Sequence, residues 1–142
     1  MARIPENVLS ALAEIPVFSA CTKKELESLA SLGSAITVET GYVFTRQGVR
    51  GFEFFVVLDG TASCTIDGKR IAELVKGDVF GEMGLIDHEP CSATVVAETS
   101  MAVLVLDARE FGGMLAQAPS TMQKLLAVMT KRLRLAQSSS NS

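Results

Sequence analysis

Turn signals constrain this chain more than any other feature. Between Gly33 and Asp107 they recur as Glu39-Thr40-Gly41, Gln47-Gly48, Asp59-Gly60, Asp67-Gly68 and Lys76-Gly77-Asp78. Each pair of turns leaves room only for a short strand, so the centre of the chain is predicted to be all-β, spanning about residues 34–107. Residues Thr61 to Ile66 alternate, which places Ala62, Cys64 and Ile66 on one face. Asp67-Gly68 then predicts a tight hairpin, because both residue types tolerate positive φ. Phe54 to Leu58 and Met101 to Leu106 are apolar at every position, the pattern of strands covered on both sides. Many short strands of this kind imply a sandwich or a barrel.

The texture on either side is helical. Ile4, Val8, Leu12 and Ile15 recur at helical spacing, and Pro16 ends that helix by blocking a backbone hydrogen bond. Thr22 followed by Glu25 is a capping-box pattern that starts a second helix carrying Leu26, Leu29, Ala30 and Leu32. Past Asp107, Met122, Leu125, Leu126, Met129 and Leu133 form a stripe that predicts a helix from about Ser120 to Ala136, packed on the β core. Lys131, Arg132 and Arg134 are read as cations favoured at that helix's C-terminal end. One domain over residues 1–136 and a polar tail over 137–142 are expected.

Composition excludes several classes of function. Thirteen basic against sixteen acidic residues leave a net charge of −3, too acidic for a broad DNA-binding face. No stretch approaches the ~20 apolar residues that span a bilayer, and no export signal opens the chain, so a cytoplasmic protein is expected. Cys21, Cys64 and Cys91 are read as free thiols. A single histidine, His88, rules out sites built on two imidazoles, and no catalytic set is visible, so neither a metal, a cofactor nor enzymatic activity is expected.

The informative stretch is Gly77-Asp78-Val79-Phe80-Gly81-Glu82-Met83-Gly84-Leu85-Ile86, continued by Asp87-His88-Glu89-Pro90-Cys91-Ser92-Ala93-Thr94. Gly81 permits close approach of backbone to a ligand, and Glu82 to Ile86 can form one short helical turn with outward N–H groups. Ser92 adds a hydroxyl donor, and Glu82 a carboxylate suited to a sugar hydroxyl. With Gly41, Gln47-Gly48, Phe54 to Gly60, Gly68 and Ile71 to Leu74, this stretch resembles the cyclic nucleotide-binding domain family over nearly the whole chain.

The resemblance implies an antiparallel β-roll of jelly-roll type with N-terminal helices, a phosphate-binding cassette from Phe80 to Thr94, and a C-terminal helix that moves when ligand enters. It implies that Gly81 and Met83 offer backbone contacts near phosphate and ribose, and that Glu82 binds the ribose 2′-hydroxyl. Ser92 and Ala93 would meet the phosphate, and Cys64 and Ala72 would form pocket wall beside the base. The family places Arg after the cassette Pro, where this chain has Cys91. A thiol supplies neither the charge nor the two-pronged geometry of a guanidinium. Losing one partner of a buried charged pair costs roughly 2–5 kcal/mol, about thirty-fold to several thousand-fold in affinity.

Arg46, Arg50, Lys69 and Arg70 are candidates for a substitute cation, and Cys91 itself could be a redox-sensitive thiol if its pKa were lowered. The expected function is regulatory binding of cAMP, cGMP or a related small anion, weakened or altered at Cys91, with output through an unknown effector protein. The alternative is a degenerate module without nucleotide binding, acting by interaction or dimerisation. A homodimer through the C-terminal helix is expected to use Val128 and Leu135, seven residues apart and off the main stripe.

Overall fold

The computed structural model describes residues 2–140, with side chains through Leu135. Eight strands run from Ser34 to Asp107: β1 (Ser34–Val38), β2 (Val43–Thr45), β3 (Glu53–Asp59), β4 (Ala62–Ile66), β5 (Lys69–Leu74), β6 (Val79–Phe80), β7 (Thr94–Ala97) and β8 (Met101–Asp107). They form two antiparallel four-stranded sheets, ordered β1-β8-β3-β6 and β2-β7-β4-β5. This is the expected β-roll, with the expected limits. The Asp67-Gly68 turn has φ of +53° and +76°, as a tight hairpin needs.

Period-two alternation on the two central strands builds two cores. Phe54, Val56 and Leu58 of β3, with Ala102, Leu104 and Leu106 of β8, face the helices. Phe55 and Val57, with Met101, Val103 and Val105, face the second sheet and enclose Phe80, Ala62 and Val95. That explains strands apolar at every position: each serves a core on either side.

The helices cover the outer face of the first sheet. Helix α1 (Val8–Ala13) is shorter than expected and begins where Asn7 accepts from the Ser10 N–H, leaving Ile4 outside it and 40% exposed. Pro16 opens a 3-10 turn, Pro16–Phe18, whose Val17 and Phe18 are buried. Helix α2 (Lys23–Leu32) starts with the expected reciprocal Thr22/Glu25 cap. Between β6 and β7 lies α3 (Glu82–Asp87), and α4 (Ala108–Gln117) begins with a second capping box, Asp107/Glu110. Helix α5 runs Pro119–Ser140, beyond the expected end near Ala136 and into the segment expected to be a tail.

The buried face of α5 differs from the expected stripe. Thr121 and Leu125 are buried, and Val128 and Met129 pack partly on the helix-side core, whereas Met122, Leu126 and Leu133 are 44%, 56% and 58% exposed. The helix meets the rest of the chain along a narrow line, so positions 121, 125, 128, 129 and 132 turn inward, and the stripe straddles that boundary. Val128 therefore belongs to the packed face, and of the expected contact pair only Leu135 is outward. Among the described residues no helix is long and apolar enough to cross a membrane.

Candidate functional site

The cassette is set by the end of β6. Phe80 is buried and stacks on Phe55 with ring centroids 4.8 Å apart, which anchors the strand in the inner core. The next residue, Gly81, has φ +89° and caps α3. A Cβ there would lie 2.5 Å from the Glu53 carbonyl oxygen, so both the turn and the space demand glycine. This turn aims Glu82 inward. Its carboxylate is 1% exposed, the most enclosed acidic group in the cassette.

A buried carboxylate needs a partner, and it comes from α5. Arg132 Nη1 donates to Glu82 Oε1 at 2.5 Å, and Arg132 Nη2 donates to the Val79 carbonyl at 2.5 Å. Burial pushes the Glu82 pKa above its ordinary value, and the Arg132 charge and the residue's own N–H pull partly the other way. The expected ribose acceptor is thus held by the chain itself. Arg132 is expected near a helix C-terminus, but α5 continues past it and the side chain turns into the cassette. The available signal was its place on the inward line with Thr121, Leu125 and Val128.

The remaining expected residues fall into two groups. Cys64 is half-buried at the edge of the inner core, with the Arg132 charge acting on it, although burial dominates and raises its thiol pKa. Its cross-strand partner is Ala72, which is exposed, and the β4–β5 register slips immediately after this pair. Met83 is 40% exposed, and the exposed Ser92 donates weakly to its sulfur at 3.9 Å. Ala93 is half-buried, and its carbonyl accepts from Thr45 Oγ1 at 3.0 Å.

Cys91 lies against the β2–β3 loop. Its N–H donates to the Val49 carbonyl and its carbonyl accepts from the Gly48 N–H, both at 2.9 Å. Its sulfur stands 2.8 Å from where a Gly51 Cβ would be. Burial raises the Cys91 pKa above its ordinary value, offset in part by the Gly51 and Cys91 N–H groups. Burial thus works against the lowered pKa that a redox-sensitive Cys91 would need. All three cysteines are free. His88 caps the end of α3 with φ +61°, exposed, its Nδ1 3.2 Å from Arg50 Nη2. Among the described residues no cluster of three metal-ligating side chains occurs.

A β-roll with flanking helices, whose strand-to-helix turn carries an inward carboxylate, is the architecture of a regulatory binding domain. The family model for the cyclic nucleotide-binding domain matches residues 35–118, and the chain belongs to that family. The chain is 32% identical over 115 residues to the cAMP-dependent protein kinase regulatory subunit of Schizosaccharomyces pombe, a match that covers 80% of this chain and 28% of that protein. Among solved structures it is similar to cAMP-bound PfPKA-R, with a TM-score of 0.80 and 26% identity over 91% of this chain and 45% of that one. It is similar also to the regulatory subunit of a cAMP-independent protein kinase A from Trypanosoma brucei, solved as a triple mutant that gains an arginine and is bound to cAMP in the A site. That TM-score is 0.74, with 26% identity over 84% of this chain and 46% of that one. The chain thus spans less than half the length of these relatives.

Proposed function

We infer that this chain is a non-catalytic, cytoplasmic regulatory module that binds cAMP, cGMP or a related ribose-bearing anion, with phosphate recognition altered because Cys91 stands at the family's arginine position. The observation that carries this reading is Glu82: a fully buried carboxylate on a glycine turn, at the position where family resemblance puts the ribose acceptor. Retaining a buried charge costs stability unless something requires it. Gly81, Glu82 and Met83 would meet the sugar and phosphate, Ser92 and Ala93 the phosphate, and Cys64 and Ala72 the base. The ligand would compete with Arg132 for Glu82, and so would report its arrival to α5 and an effector beyond it.

The decisive experiment is calorimetry with cAMP and cGMP on the parent protein and on Cys91→Arg. The parent is expected to bind weakly, and Cys91→Arg to tighten binding by up to about a hundred-fold, a gain of the size lost when a charged partner is removed. Cys91→Ala should bind no better than the parent. A relative described as cAMP-independent has been solved with cAMP in a form that gains an arginine, which makes this substitution the natural one to test. A well-folded Cys91→Arg protein that binds neither nucleotide would overturn the reading.

A second reading has its own observation. Met122, Leu126 and Leu133 are exposed at spacings of four and seven along α5, the pattern of a helix awaiting another helix. If nucleotide binding has been lost, the chain would act as a dimerisation or interaction module through that line, with Leu135 beside it.

A further inference from the structure

The phosphate position lost its arginine at Cys91, yet the same corner of the fold carries two others. A cavity of about 210 Å³ opens beside Cys91, between β2 and the β2–β3 loop, lined in part by Phe44, Thr45, Arg46, Arg50 and Gly51. We propose that Arg46 and Arg50 together form a relocated phosphate-binding site around Cys91, which takes the phosphodiester of a nucleotide whose ribose is held at Glu82. The proposal rests on the ribose-binding reading of Glu82 above.

Three observations converge on these residues. First, the loop is stitched to the end of the cassette: Gly48 N–H to the Cys91 carbonyl, Cys91 N–H to the Val49 carbonyl, Thr45 Oγ1 to the Ala93 carbonyl, and Gln47 N–H to Thr94 Oγ1, at 2.9 to 3.0 Å. Both arginines are therefore held in register with Cys91 by backbone. Second, neither makes an ion pair among the described residues, whereas Arg70 is tied to Glu73 and Glu98 and Arg132 to Glu82. Arg50 instead lies over the Phe52 ring at 5.2 Å and meets the Nδ1 of His88 at the end of α3. Two like charges at one cavity without a carboxylate favour an anion between them.

Third, the cavity is smaller than the roughly 300–1,000 Å³ that encloses a whole small molecule, which suits a phosphate group with the rest of the ligand lying outside it. The cavity also adjoins the cassette: Gly51, on its wall, has its carbonyl 3.8 Å from the Cβ position of Gly84 in α3. Of the four cations that sequence suggested, Arg70 is spent on carboxylates and Lys69 sits in the β4–β5 hairpin, outside the lining.

The test compares cAMP with adenosine, which lacks the phosphate, on the parent and on Arg46→Gln, Arg50→Gln and the double variant. Each single change should lower the cAMP-over-adenosine preference by about three- to ten-fold, as expected for partly solvated charges, and the double variant should bring it close to one. In parallel, inorganic phosphate is titrated at low salt while the backbone amide signals of Gly48, Gly51 and Cys91 are followed by NMR. Those signals should shift in the parent and stay fixed in the double variant. A cAMP preference that survives in a folded double variant overturns the proposal and leaves the ribose reading standing. If neither cAMP nor adenosine binds but phosphate shifts these amides through the arginines, the anion site stands and the ribose reading falls. Absence of both a cAMP preference and a phosphate response in the parent rejects the site.

Discussion

Replacing Arg132 by Gln removes the cation from a carboxylate that is 1% exposed. Breaking a fully enclosed pair costs about 3–5 kcal/mol, but the Arg132 side chain is 34% exposed and solvent screens part of that. Glu82 also has an escape, because it can take up a proton. For a carboxyl of ordinary pKa 4.5, protonation at pH 7 costs about 3.4 kcal/mol at ~1.36 kcal/mol per pH unit, and burial already raises the pKa, which lowers that ceiling. The expected cost of Arg132→Gln at pH 7 is therefore about 1–3 kcal/mol, a fall in Tm of roughly 3–10 °C.

The sign of the pH dependence follows from the same group. The folded pKa of Glu82 lies above its unfolded value, further so without Arg132, so as pH rises past 4.5 the unfolded chain releases this proton more readily than the folded variant does. The penalty is full where the unfolded carboxyl is ionised and the buried one must be neutralised, and it fades as pH falls toward 4.5. Thermal unfolding at pH 7 and pH 5 should show the gap between parent and Arg132→Gln shrinking at the lower pH. Adding Glu82→Gln to Arg132→Gln should recover stability at pH 7 by removing the carboxyl that burial would otherwise force to take up a proton. An equal gap at both pH values, or a double variant less stable than Arg132→Gln alone, would refute the account of Glu82 as a buried charge held by α5.

Two other substitutions probe the cassette and the outer face of α5. Gly81→Ala should destabilise the fold by about 2–4 kcal/mol in chemical denaturation, since its φ is left-handed and its Cβ would strike the Glu53 carbonyl. Leu126→Lys combined with Leu133→Lys should keep unfolding stability within about 1 kcal/mol of the parent, because both side chains are exposed, while shifting a sedimenting dimer to monomer. A parent that sediments only as a monomer at high concentration would dismiss the α5 contact.

What sequence could reveal was decided by how locally each feature is determined. The roll was legible because its turns are chemical: Asp67-Gly68 and Gly81 adopt positive φ that few residues tolerate. The apolar runs of β3 and β8 were legible because each face has its own core. The packing of α5 was not, because Met122, Leu125, Leu126, Met129 and Leu133 satisfy a helical period whichever side turns inward, and only the position of the 3-10 turn and α4 decides. Arg132 was missed for a related reason. A basic residue on a helix has many solvated uses, and only the third dimension brings it to a carboxylate fifty positions earlier.

The junction between α4 and α5 gives the Arg132 contact a mechanical character. Ala118 leaves helical geometry, with φ −133° and ψ 72°, and Pro119 opens the next helix, so the two segments meet at a single non-helical residue. At ~1.5 Å per residue, Arg132 lies about 20 Å along the axis from Pro119. A tilt of 10° at that joint carries the guanidinium some 3 Å, roughly one hydrogen-bond length, and Leu135 about 4 Å. Helix α5 is thus geared: displacement grows along its length, so a tilt that moves Thr121 by about 0.5 Å carries Arg132 some 3 Å from Glu82, and the exposed leucines beyond it travel furthest.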